Sequence, residues 1–157
     1  MSVAASILEH MFEELIDVGP PTDERALIER IAALERLKAA AAAGQARLTA
    51  ALDTARRSAE AAAGVPAERR GRGVAAEVAL ARRDSPVRGG RHLGFAKALV
   101  HEMPHTLAAL EAGALSEWRA TILVRESACL DAEDRRRLDE EMCRGTSGLD
   151  GLGDAEL

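Results

Sequence analysis

Aromatic residues are almost missing from this sequence: Phe12, Phe95 and Trp118 are the three, and there is no tyrosine. With them go most of the residues that favour extended chain, since Val, Ile and Thr are also sparse, so a β-sheet is not expected. A Gly-rich phosphate loop that follows a strand is excluded with the strands. No run of about 18 apolar residues occurs, so no membrane-spanning helix is expected. The opening stretch MSVAASILEHMFEELIDV has no cationic region and carries Glu9, Glu13 and Glu14, unlike a signal peptide. Cys129 and Cys143 are the two cysteines; they lack metal-type spacing and read as reduced thiols. A cytoplasmic protein without cofactor, metal or membrane partner is the expectation.

What the chain has in quantity is alanine, 33 of 157 residues. Alanine loses no side-chain entropy in a helix and has the highest helix propensity. The sequence therefore predicts an all-α fold: a long, coiled or antiparallel helix followed by a bundle of short helices. Its core should be thin, because each alanine buries little apolar area.

Three regions follow from the punctuation. Residues 1–21 hold an amphipathic helix at 3–17, with Ile7, Leu8, Met11, Phe12, Leu15 and Ile16 on one side and a stop at GPPT. Residues 22–143 form the helical domain, and residues 144–157 a loose Gly-rich tail. Within the domain, Thr22 is the expected N-cap of a helix from 23 to about 62, roughly 60 Å long. Its stripe of Leu27, Ile31, Leu34, Ala41, Leu48, Leu52 and Ala55 suits either the core or a second copy of the chain. Lys38 and Gln45 interrupt it. The segment GVPAERRGRG breaks the chain at 64–73. Helices are then expected at about 74–83 and 87–102, from Pro104 to a C′ glycine at Gly113, from a cap at Ser116, and from a capping box at Asp131 and Asp134 to Cys143.

One motif invites a catalytic reading. HEMPH, residues 101–105, fits the HExxH pattern of zinc peptidases. That chemistry needs both histidines on one continuous helical turn. Pro104 removes an amide donor, crowds the carbonyl of Val100, and pushes Met103 out of helical geometry. His101 should therefore end one helix and His105 open the next. A third ligand at Glu126 has no support from spacing. No catalytic or metal-binding set is predicted; His10 and His92 stand apart without a nucleophile pattern.

Charge is unevenly spread. The chain carries −5 overall, yet residues 56–97 carry +6, leaving −11 elsewhere. A basic middle is a candidate phosphate-facing surface, with Arg69, Arg70, Arg72, Arg82, Arg83, Arg88 and Arg91 as its members. Arginines solvating a helical scaffold are the alternative, and the excess of 19 arginines over 2 lysines is also what genomic base composition produces. Within this segment EVALARRDSPVRGGRHLGFA has helix-turn-helix-like spacing. Ala79 is the small packing residue, Ser85 and Pro86 make the turn, Leu93 anchors the second helix, and Arg88, Arg91 and His92 are left to face DNA. Gly89 and Gly90 work against that second helix, at roughly 1 kcal/mol each. Trp118 reads most simply as a core residue with Leu115, Ile122 and Leu123, with a partner-binding role as the alternative.

Three segments in order carry a family resemblance: IAALERLKAAAAAGQARLTAALD, then GRGVAAEVALARRDSPVRGGRHLGFAKAL, then MPHTLAALEAGALSEWRATILVRESACLDAEDRRRLDEEM. Over residues 25–157 the chain resembles the bacterial domain-of-unknown-function family 222. The segment LSEWR after ALEAG is the most specific part. In that family the helical region commonly lies ahead of a C-terminal HNH endonuclease domain, whose clustered histidines and asparagine this chain does not have. The resemblance implies a non-catalytic N-terminal portion standing alone. The paired glycines depart from the family pattern. Two functions are carried forward: a DNA-placing module, and a dimerisation scaffold that uses Leu27, Ile31, Leu34, Leu48 and Leu52.

Overall fold

The computed structural model describes residues 23–144, together with His10 and Gly19. The expected helix at 3–17, the stop at GPPT, the cap at Thr22 and the tail beyond residue 144 otherwise lie outside the described residues. Six α-helices and no strand are present among the described residues: α1 (Glu24–Ala62), α2 (Val74–Ala81), α3 (Pro86–His101), α4 (Pro104–Glu111), α5 (Glu117–Glu126) and α6 (Ala132–Cys143). The all-α fold expected from composition is the fold observed. No helix among these residues is long and apolar enough to cross a membrane.

The chain forms two compact units, Met1–Leu34 and Glu35–Leu157. In the first, the carboxylate of Asp23 accepts the Ala26 N–H at 3.1 Å, so Asp23 itself caps α1. Leu27, Ile31 and Leu34 are exposed, Ile31 at 68%.

In the second unit the core forms on a face of α1 that the leucine stripe does not include. Ala39, Ala42, Ala43 and Ala46 repeat at helical spacing and are buried with Leu99, Met103, Leu107, Leu110, Leu115 and Leu123. Leu48 and Leu52 lie outside that core, Leu48 with 73% of its surface exposed. The core reading of the stripe is therefore corrected. The physical reason is that small side chains let backbones approach closely, and the large side chains of later helices then fill the space.

The breaks obey local chemistry. Residues 64–73 form turns and a short 3-10 helix, Ala67–Arg69. The turn that follows α2 is made at Arg83, whose φ of 55° lies in the left-handed region. The N–H of Asp84 reaches back to Ala79 at 2.8 Å to close that turn. Gly113, at φ 71°, terminates α4 as expected. The Ser116 hydroxyl accepts the Arg119 N–H at 3.2 Å, and Asp131 accepts from Glu133 and Asp134, both at 2.9 Å.

Helices α2 and α3 pack closely around Gly89. A Cβ at that position would lie 2.0 Å from the carbonyl oxygen of Ala75 and 3.1 Å from the Cβ of Ala79. The glycine is thus the contact point of the helix pair, and Ala79 is the small residue opposite it. Gly90 has open space around it, and nothing in the structure explains it.

Helix α4 begins on Met103, whose side chain makes no capping hydrogen bond. Its first amides are served by Asp139 of α6. That buried carboxylate accepts the His105 N–H at 2.8 Å, the Thr106 N–H at 2.7 Å and the Thr106 hydroxyl at 2.6 Å.

Candidate nucleic-acid interface

The HEMPH segment is split between two helices. His101 is the last residue of α3, Glu102 and Met103 leave helical geometry, and Pro104 starts α4. Glu102 is held by Arg135, so the glutamate that would activate a zinc-bound water is an ion-pair partner. Among the described residues no group of three or more His, Cys, Asp or Glu is placed to hold a metal ion.

The basic segment is divided in the fold. Arg56 forks onto Glu77 at 3.0–3.1 Å, which holds its guanidinium firmly protonated. Arg57 at 2.9 Å and Lys97 at 3.5 Å share the buried carboxylate of Asp53. Of the seven arginines singled out from sequence, three have internal roles. The Nε of Arg70 donates to the Val65 carbonyl at 2.7 Å, Arg82 pairs with Glu117 at 2.8 Å, and Arg88 approaches Asp84 at 3.6 Å. The Arg82 pair ties the end of α2 to the start of α5.

The other four, Arg69, Arg72, Arg83 and Arg91, are exposed and have no side-chain partner among the described residues. They are not one cluster. Arg69 and Arg72 precede α2, Arg83 follows it, and Arg91 projects from α3. The eight residues of α2 separate the first pair from Arg83 by about 12 Å along the helix.

His92 differs from its expected place. Its Nε2 lies 2.9 Å from Asp84 Oδ2 and its ring is mostly buried, so it braces the turn between α2 and α3. The Asp84 carboxyl is pulled below its ordinary range, first by this His92 contact and then by the Ser85 N–H. Ser85 and Pro86 do make the turn and the helix start.

Trp118 is also displaced from expectation. Leu115, Ile122 and Leu123 are buried, but Trp118 is 57% exposed. On α5 the inward face runs through Ala120, Leu123 and Ser127. Trp118 precedes Ala120 by two residues, nearly half a turn round the helix. The indole borders a cleft between α3 and α5, lined by Arg91, Phe95, Thr121, Val124 and Arg125. Phe95, Thr121 and Arg125 were not singled out from sequence. The 88, 91, 95 and 118, 121, 125 spacings that put each set on one helix face were visible there, but nothing local said the two faces would adjoin.

The cysteines are both free thiols. Cys143 is buried against Thr106 Oγ1 at 3.4 Å, and burial pushes its thiol up, away from reactivity. Cys129 is exposed.

Comparison with protein-family models, with curated proteins and with solved structures finds no match to this chain.

Proposed function

We propose that this chain is a non-catalytic helical module that associates with DNA through its basic middle segment. The observation that carries the reading is the state of Arg69, Arg72, Arg83 and Arg91, which are exposed and unpaired among the described residues while Arg56, Arg57, Arg70, Arg82 and Lys97 are held by internal partners. Arg83 holds its exposed position in the left-handed turn that closes α2, at a cost of about 1–2 kcal/mol for a non-glycine residue. The resemblance to the helical region of family 222 supplies the context, a module that helps place a nuclease domain on its substrate.

The reading is tested by fluorescence anisotropy of a labelled duplex at several salt concentrations. Affinity should fall with salt with a log–log slope of about −0.9 for each phosphate neutralised. Replacing the four arginines with alanine should flatten the slope; an unchanged slope removes them from the interface. Arg83→Gly gives a sharper comparison. It should weaken binding while raising stability to urea by roughly 1 kcal/mol, because glycine occupies the left-handed region without the Cβ penalty.

A second reading, a dimerisation scaffold, is favoured by a different observation. Leu48 and Leu52 are exposed along a shallow groove that Val78 and Ala81 also line. Exposed apolar patches on a small protein mark contact surfaces.

A further inference from the structure

We infer that the cleft between α3 and α5 is a stacking site for an unpaired nucleobase, so that the module holds single-stranded DNA as well as duplex. The inference rests on the DNA reading above and names a second, chemically different part of the interface.

Trp118 presents a largely exposed indole at the start of α5, and Phe95, half-buried, forms the cleft's apolar floor against the core. These are the only two aromatic side chains among the described residues, and they line one cleft. Its rim is cationic. Arg88 and Arg91 come from α3 and Arg125 from α5. Arg91 has no partner among the described residues. Arg88 is 3.6 Å from Asp84 with its side chain 62% exposed. Arg125 pairs with Glu126, its chain neighbour, with both side chains more than half exposed. Exposed pairs of this kind contribute little and exchange readily for another anion. The one acidic residue lining the cleft is Glu117, already neutralised by Arg82 at 2.8 Å.

An apolar, aromatic-walled cleft with a basic rim is complementary to a base whose flat face is apolar and whose backbone is an anion. Proteins that bind single strands combine these two features, a stacking platform and a charged track. In a duplex the base faces are covered by their neighbours, so the Trp118 face has no partner there. An acidic peptide would satisfy the rim but has no planar group for the indole.

The test uses the chain's own fluorophore, since Trp118 is the single tryptophan and there is no tyrosine to obscure it. The chain is titrated with an oligothymidylate of about 12 nucleotides and, separately, with a duplex, reading tryptophan emission and anisotropy together. The single strand should quench Trp118 in step with binding, and the duplex should bind without quenching. Trp118→Leu should weaken the single strand by roughly 5- to 150-fold, the range set by one base–aromatic stack, and leave duplex affinity unchanged. Trp118→Phe should restore most of the loss. A single strand that binds without quenching, and equally well to Trp118→Leu, overturns the stacking site and leaves the duplex reading intact. Quenching by single strand without duplex affinity overturns the duplex reading instead. Absence of binding by either nucleic acid overturns both.

Discussion

At Gly89 one missing methyl group sets the approach of two helices. Glycine within a helix ordinarily costs roughly 1 kcal/mol relative to alanine, so Gly→Ala should stabilise. Here the two adjacent glycines should answer in opposite ways. Gly90→Ala enters open space and should gain about 0.5–1 kcal/mol in urea unfolding. Gly89→Ala places its Cβ 2.0 Å from the Ala75 backbone oxygen and should lose about 1–3 kcal/mol as α2 and α3 are forced apart. Equal effects would show that the helix pair is looser than the structure has it. From sequence the two are indistinguishable, each a weakness in a helix, because which one faces a partner is decided by packing. Trp118 shows the same limit. Its neighbours Leu115 and Ile122 are buried as the pattern suggests. The tryptophan itself is exposed although Ile122, one turn on and on the same side of α5, is buried, and a hydrophobicity pattern does not separate a core aromatic from an exposed one.

The limits of the helices were the most legible feature, because each is decided by a few adjacent residues. Pro86 and Pro104 start helices, Ser116 and Asp131 cap them, Gly113 ends one, and the proline in HEMPH divides what the motif would need whole. Asp139 was not legible. It lies 34 residues from His105 in sequence, on an acidic helix where a solvated carboxylate would be the ordinary reading. Its place beneath α4 follows from the α4–α6 packing, and it supplies the cap that the Met103 side chain does not. Asp139→Ala should leave two amides without partners and the Thr106 hydroxyl with only the Cys143 sulfur. Each unmet group costs about 1–3 kcal/mol, so a loss of at least 2 kcal/mol by denaturant titration is expected. A loss below about 0.5 kcal/mol would mean that the α4 amides find other acceptors. Asp139→Asn keeps an acceptor oxygen and should recover part of the stability.

For the molecule as a whole, composition determined the class, but neither composition nor net charge told which basic residues are committed. The +6 of residues 56–97 is a sum over two populations. One is held by Asp53, Glu77, Glu117 and the Val65 carbonyl, and the other is exposed. Tertiary pairing makes that division, so a count of charges overstates the surface available to phosphate. The same scale tests the scaffold reading. If the exposed leucines of the larger unit join two copies, light scattering should give twice the 16.7 kDa chain mass. Leu48→Glu, which puts a charge on a residue 73% exposed, should then return a monomer without loss of helicity. A wild-type monomer at tens of micromolar chain sets that reading aside.

The alanine face of α1 has one more consequence, for which changes the chain can absorb over generations. Ala39, Ala42, Ala43, Ala46 and Ala50 are all buried to within 3% of complete. Each already has the smallest side chain that still favours a helix, so every heavier replacement must wedge the packed helices apart. The exposed Leu48 and Leu52 carry no such constraint within a single copy. Drift should therefore have left the small residues in place and varied the large ones, the reverse of what a hydrophobicity-weighted comparison of relatives would score as the core.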